Sequence, residues 1–317
     1  MKKNHKFNLN VILIKFLSFC YPKPKKKLIL KIWGILPHWL KRIIKFLQFM
    51  FINFLKWTIS MCRFIRIQKI TTALLGYQWE PNFNIIEIDI TYDCNLTCFS
   101  CDRMCGQAPT DERMSLDQIR KFVQESIEQN KEWSKITMLG GEPTRHPDLV
   151  EIVNILFDYK KKYSSRTIIQ LVTNGCGQEI EKVLSLLPAD LVIKNSRKES
   201  SVQVEFDAVT VAPQDRWLYG CVNYSNACDI TEKCGIALNL NGYYPCAPAG
   251  AIDRIYGYDV GLKKLPSDEN MRELLNMFCR HCGHFLCFNK INLKYNSQSW
   301  HTALNNYQKN KPKLTIY

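Results

Sequence analysis

Not one aspartate or glutamate occurs in residues 1–70, although that stretch holds 16 lysines and arginines. Of the 43 basic residues in the 317-residue chain, 27 therefore remain to face all 29 acidic ones. The net charge of +14 belongs to the N-terminal segment, and a basic nucleic-acid face on the remainder has no support. Also missing is any run of 18 uncharged apolar residues, so a membrane-spanning helix is not expected. No small-residue cleavage site follows the run VILIKFLSF, which Lys15 interrupts, and bulky Phe19 stands where a lipoprotein signal ending at Cys20 needs a small side chain. A reducing, cytoplasmic compartment is expected, and the 14 cysteines read as ligands rather than as a disulfide framework.

What the N-terminal segment does contain is apolar and basic residues in helical order. Turning 100° per residue from His38 to Arg66 places His38, Lys41, Arg42, Lys45, Lys56, Ser60, Arg63 and Arg66 on one sector. Trp39, Ile43, Phe46, Leu47, Met50, Leu55 and Trp57 lie largely opposite, with Phe49 and Ile52 interrupting the polar side. A basic amphipathic helix lying in an anionic membrane interface, at the inner surface, fits this pattern. The alternative is a helix packed on the globular part.

From residue 84 the pattern changes. IIEIDIT, KITML, TIIQLVTNG, LVIK and FDAVTV read as strands. SLDQIRKFVQESIEQ reads as a helix, with a Ser115/Gln118 capping box and an apolar stripe of Leu116, Ile119, Val123 and Ile127. Pro147 opens a second helix, PDLVEIVNILFDYK, and a short one follows near 178–187. The alternation predicts an α/β fold, a parallel sheet or partial (β/α) barrel whose sites lie at the C-terminal ends of strands. Cys94, Gly140, Gly141 and Asn174 fall at such ends. The expected organisation is a basic amphipathic extension over 1–80, an α/β core over 81–220, a small cysteine-rich domain held by metal over 221–290 and a tail over 291–317.

CNLTCFSC, residues 94–101, places Cys94, Cys98 and Cys101 directly behind the first strand. Three thiolates on one short loop can hold three irons of a [4Fe–4S] cubane and leave the fourth iron open to a small molecule. Structural zinc wants four ligands, commonly as paired CxxC units, and only Cys105 lies near enough in sequence to be considered.

CxxxCxxC with the aromatic Phe99 inside it resembles the signature of the radical S-adenosylmethionine (radical SAM) enzymes. MLGGEP at 138–143 resembles that family's second motif, and TNG at 173–175 is similar to the segment after its third strand; the resemblance covers roughly residues 84–215. It implies a radical SAM-type partial barrel in which Cys94, Cys98 and Cys101 hold a [4Fe–4S] cluster and SAM chelates the open iron. It further implies that Gly140 and Gly141, lacking Cβ, let backbone groups approach the methionine part. Glu142 would pair with the SAM ammonium, Phe99 would lie near the adenine, and Asn174 would join the cofactor contacts. Reductive cleavage would give a 5′-deoxyadenosyl radical that abstracts a substrate hydrogen, with reduced flavodoxin or ferredoxin as electron donor.

Later cysteines have a pattern of their own: Cys228, Cys234 and Cys246, then Cys279, Cys282 and Cys287. The pattern resembles the auxiliary-cluster extension called SPASM, or its shorter twitch relative, and implies one auxiliary [4Fe–4S] cluster. Cys234, Cys246, Cys279 and Cys282 are the first choice of ligands, with Cys228 next. A zinc knuckle around CRHCGHFLC, using His281 or His284, is the rival. Cys20, Cys62 and Cys176 read as ordinary thiols. The resulting expectation is a radical SAM enzyme, an oxidoreductase peripheral at the inner membrane surface. Its substrate would be a peptide or protein, a sugar or an envelope-linked molecule, with no nucleic acid partner and no catalytic side chain singled out. A noncatalytic iron–sulfur electron carrier or scaffold is the alternative, and it would need no SAM site.

Overall fold

The computed structural model describes residues 37–200, 208–266, 268–288 and 295–317. Cys20 and the rest of the basic segment before residue 37 lie outside the described residues, as do Phe206 and Asp207 of the expected strand FDAVTV. The chain divides into two compact units, 1–60 and 61–317. In the first, helix α1 begins at His38 and runs on to Arg66, with no acidic residue in its first turn and Arg63 and Arg66 in its last. Trp39, Phe46, Met50, Phe54 and Trp57, which share one side of this helix, are all more than half exposed. Among the described residues no helix is long and apolar enough to cross a membrane.

The second unit opens with α2 (Lys69–Leu75) and then alternates. The sequence is β1 (Ile85–Thr91), α3 (Leu116–Glu128), β2 (Lys135–Gly140), α4 (Leu149–Tyr163), β3 (Ile168–Thr173), α5 (Gln178–Leu184) and β4 (Val192–Asn195). The capping box starts α3 as expected. The Ser115 hydroxyl accepts from the Gln118 N–H at 3.2 Å, and the Gln118 carboxamide accepts from the Ser115 N–H at 2.9 Å. Helix α4 begins at Leu149 behind Asp148, so Pro147 precedes it instead of opening it. Residues 208–211 of FDAVTV are a turn, not a strand. Their backbone bonds run to Gly283 and Ser297 and leave no ladder to form: Val209 C=O accepts from Gly283 N–H at 2.9 Å and Thr210 C=O from Ser297 N–H at 3.0 Å.

Beyond residue 220 come α6 (Asp229–Lys233), β5 (Ile236–Asn239), β6 (Gly242–Tyr244), α7 (Ala247–Tyr256), α8 (Asp268–Phe278) and α9 (Gln298–Lys309). The sheet order is β4-β3-β2-β1-β5-β6. The first five strands are parallel and β6 returns antiparallel to β5, an open sheet of partial-barrel type. The cysteine-rich region is therefore continuous with the core at residue 220, because its β5 pairs directly with β1 through Ile86↔Ile236 and Ile88↔Leu238.

Strand alternation gives the sheet two unlike faces. Ile86, Ile88 and Ile90 of β1, Ile136 and Met138 of β2, Ile169 and Leu171 of β3, and Ile236 and Leu238 of β5 are buried on one face. They share a core with Ile119 and Phe122 of α3 and Ile152, Val153 and Leu156 of α4. Burying each such side chain contributes on the order of 1.5–3 kcal/mol. The other face carries Glu87 and Asp89, with Thr137 and Gln170 in register with Glu87. That polar face leads to the strand ends where the motifs sit.

Candidate functional site

Two glycines fasten the end of β2 to the start of the cysteine loop. The Gly141 N–H donates to Thr91 C=O at 2.7 Å, and the Glu142 N–H to Asp93 C=O at 2.8 Å. A Cβ on Gly140, whose φ is +136°, would meet the Thr91 oxygen at 2.1 Å, and one on Gly141 would meet the Asp93 oxygen at 2.2 Å. The absent side chains thus admit the backbone of β1 and its loop.

Glu142 is fully buried. Its Oε1 accepts from Thr144 N–H at 3.2 Å, Thr144 Oγ1 at 2.7 Å and Thr173 Oγ1 at 2.8 Å, while Oε2 accepts from Asn174 N–H at 2.8 Å. The carboxylate, which the resemblance would pair with an ammonium ligand, is enclosed and engaged by four protein donors. It joins the end of β2 to the end of β3. From there Asn174 carries the tie onward. Its Nδ2 donates to Asn95 Oδ1 at 2.8 Å and lies 4.0 Å from Cys94 Sγ, and its Oδ1 accepts from Cys176 N–H at 2.8 Å.

The three cysteines share the loop these contacts position. Burial pushes the Cys94 and Cys98 thiols up, with the neighbouring cysteines adding to the rise, and Leu96 N–H pulls Cys94 back from 3.5 Å. Lys198, whose Nζ lies 3.9 Å from Cys98 Sγ, pulls Cys98 back. Cys101 moves the other way, to about 6, because the Cys105 thiol and the backbone N–H groups of Cys105 and Arg103 hydrogen-bond to it. Cys105 is therefore a partner of Cys101. Phe99 is 39% exposed. A buried ion-pair cluster anchors the far side of the loop: Arg103 reaches Glu87 at 2.6 Å and Asp89 at 3.1 Å on the polar face of β1. Burial raises the Asp89 carboxyl to about 6 despite Arg103.

Among the described residues no three Cys, His, Asp or Glu side chains converge as ligands of a single metal ion. A cubane asks for something different, since each of its thiolates holds a separate iron and they stand wider apart. Three neighbouring thiols with N–H and ammonium donors turned toward their sulfurs fit that group. The 13 described cysteines are all free thiols.

A second group of thiols lies in the C-terminal region. Cys228, Cys246, Cys279 and Cys282 line one small cavity together with His284. Burial raises all four thiols, and repulsion from neighbouring cysteines adds to the rise of Cys246, Cys279 and Cys282. Cys228 thus stands where Cys234 was the first choice. Cys234 sits beside Glu87, which together with burial pushes it to about 12. Cys287 is held apart, its N–H donating to Tyr219 Oη at 2.9 Å. His284 Nδ1 is 3.4 Å from Cys282 Sγ, whereas His281 Nε2 pairs with Tyr258 Oη at 2.8 Å. The sequence reading missed Asn95, Lys198, Arg103 and its two carboxylates; Asn95 occupies an unspecified position of the cysteine motif, Lys198 and Arg103 lie outside the motifs, and only the register of β1 hints at Glu87 and Asp89.

The enclosure of Glu142 makes a direct prediction. Glu142→Gln turns an acceptor into an NH2 that faces a donor, leaving a buried N–H or O–H unsatisfied. The metal-free variant should unfold with about 1–3 kcal/mol less stability in a urea titration. Wild-type stability would show that the carboxylate is dispensable to the fold.

Residues 88–193 match the profile of the radical SAM superfamily. A 116-residue stretch is 30% identical to a probable GTP 3′,8-cyclase of Methanococcus vannielii, covering 36% of this chain and 38% of that protein. A 90-residue stretch is 39% identical to a probable GTP 3′,8-cyclase of Sulfolobus acidocaldarius, covering 28% of this chain and 26% of that protein. The chain therefore spans well under half the length of these curated relatives. The crystal structure of BtrN in complex with AdoMet and 2-DOIA aligns over 69% of this chain and 98% of its own, at 13% identity and a TM-score of 0.41. The segment that carries the cysteine loop and the GGEP turn thus matches the radical SAM superfamily.

Proposed function

We propose that the protein is a radical SAM enzyme that cleaves S-adenosylmethionine reductively and abstracts hydrogen from a peptide or protein, a sugar or an envelope-linked molecule. One observation carries the reading: the Cys94–Cys101 loop meets the GGEP turn at adjacent C-terminal strand ends, through Gly141 and Glu142. Cys94, Cys98 and Cys101 would hold the [4Fe–4S] cluster, and the half-exposed ring of Phe99 offers a surface for the adenine. When bound, the cluster and SAM supply reductive scission of the sulfonium C–S bond and hydrogen abstraction. The chain's own residues do the positioning: Glu142 fixes the loops, Asn174 orients Asn95 beside Cys94, and Lys198 places a positive charge against Cys98. What carries over from the relatives is this shared chemistry and not GTP as substrate, because the alignment spans only a third of the chain. Reduced flavodoxin or ferredoxin would supply the electron. With reductant and SAM, anaerobically reconstituted protein should release 5′-deoxyadenosine, and Cys98→Ala should abolish it. A fully loaded wild-type protein that leaves SAM intact would support the noncatalytic electron carrier instead.

The second thiol group is proposed to hold one auxiliary [4Fe–4S] cluster, with Cys228, Cys246, Cys279 and Cys282 as ligands. Four thiols around one cavity, three of them buried and Cys246 partly so, support it. A Cys94/Cys98/Cys101→Ala variant should keep about four irons per chain. Stoichiometric zinc in their place would overturn the assignment.

Helix α1 is proposed to lie at the anionic inner membrane surface, peripheral to the cytoplasm. Its exposed Trp39, Phe46, Met50 and Trp57 would sit at the acyl boundary. Each basic side chain near the headgroups adds about 1 kcal/mol, screened by salt. The full-length chain should sediment with vesicles containing phosphatidylserine, only partly released by salt, and Phe46→Asp with Met50→Asp should free it. Wild-type protein that ignores the vesicles removes the membrane role.

A further inference from the structure

The family match ends at residue 193, yet the cysteine loop is held by a side chain far beyond it. Arg254 of α7 is 2% exposed. Its guanidinium donates from Nη1 to Ala108 C=O at 2.7 Å and to Tyr307 Oη at 3.1 Å. From Nη2 it donates to Arg103 C=O at 2.9 Å and Met104 C=O at 3.5 Å, and it lies over the Tyr92 ring at 4.5 Å. Three of these acceptors are main-chain oxygens of residues 103–108, the segment immediately after Cys101. The remaining N–H, on Nε, is buried without a partner.

Among the described residues no carboxylate pairs with Arg254. The nearby carboxylates Asp89, Glu87 and Asp102 are all engaged by Arg103. A buried cation lacking an acidic partner is costly and is retained where an anion compensates it. The anion due at this loop is the thiolate-ligated cluster, whose net negative charge increases on reduction. Its potential follows the charges and hydrogen bonds around it. The planar fork also suits the task, since lysine's single ammonium cannot span three separate carbonyls. Helix α7 has Cys246 as its N-cap, so Arg254 stands about two turns, roughly 12 Å, along a helix that starts at the second thiol group.

We propose that Arg254 is a positioning residue for the first cysteine site. It clamps the backbone that follows Cys101 and supplies the buried positive charge that offsets the reduced cluster. The C-terminal region would then complete the site that the family-matched segment begins. The clamp half stands on the protein alone; the charge half rests on the radical SAM reading.

Full-length Arg254→Met and Arg254→Lys separate the two. In the metal-free protein, trypsin cleavage after Arg103, mapped by mass spectrometry, should be faster in both variants. In reconstituted protein, the reduction midpoint of the cluster whose EPR spectrum responds to SAM should fall in Arg254→Met. Arg254→Lys, which keeps the charge, should restore most of that midpoint without restoring protease protection. Wild-type cleavage in both variants overturns the clamp, and a wild-type midpoint in Arg254→Met overturns the charge role. If Arg254→Met does not unfold cooperatively, cleavage in Arg254→Lys decides the clamp and the midpoint in the neutral Arg254→Gln decides the charge role; protection equal to wild type overturns the first and a wild-type midpoint the second. A wild-type protein without any SAM-responsive cluster defeats the radical SAM reading and the charge role, while the protease comparison still decides the clamp.

Discussion

The carboxylate of Glu142 has no exposed surface and takes donors from both sides of a strand boundary. Thr144 lies on its own turn, while Thr173 and Asn174 close β3. A buried carboxylate is expensive unless its oxygens are satisfied, and the four donors that satisfy it also fix where β2 and β3 end relative to one another. Asn174 then hands the constraint to Asn95, and Asn95 Nδ2 donates to Cys176 C=O at 2.7 Å. The loop bearing Cys94 inherits its position from this carboxylate.

The opposite end of that loop rests on the polar face of the sheet. Arg103 crosses from the loop to Glu87 and Asp89 on β1, while Arg254 approaches the same backbone from α7. The loop is thereby fastened on one side by anions of the strand and on the other by a cation of the C-terminal region. Burial is the larger influence on Asp89 and Arg103 the opposing one, which is why its carboxyl rises only to about 6.

Two thiol groups of different character share the unit formed by residues 61–317. The first has polar company, with Lys198, Asn174 and main-chain N–H groups near its sulfurs. The second is enclosed mainly by Ile230, Pro248, Ile252, Leu275 and Phe278. An open polar loop leaves room for a small molecule beside its centre, whereas an apolar cavity suits a fully ligated one. Parallel pairing of β5 with β1 brings the two into one sheet system.

Local signals were legible in the sequence because local physics decides them. The Ser115/Gln118 box, the alternation of IIEIDIT and the run of Cys94, Cys98 and Cys101 behind it depend on near neighbours in the chain, and each is found where its pattern put it. Cys228 rather than Cys234 faces the second cavity because the turn of α6 lies between them, and the strand that should have begun at Phe206 yields its backbone bonds to Gly283 and Ser297. Nothing near Gly235 in sequence announces that β5 will lie beside β1, where a Cβ on Gly235 would meet Ile85 C=O at 2.0 Å. The sequence by itself determined strands β1 to β4, the cap of α3 and the first thiol loop, since short-range hydrogen bonds and side-chain periodicity suffice for those. Only the tertiary structure decided that Glu142 is enclosed, that Arg254 reaches the loop and which four later thiols line one cavity, because each depends on which distant backbone the folded sheet brings within bonding range.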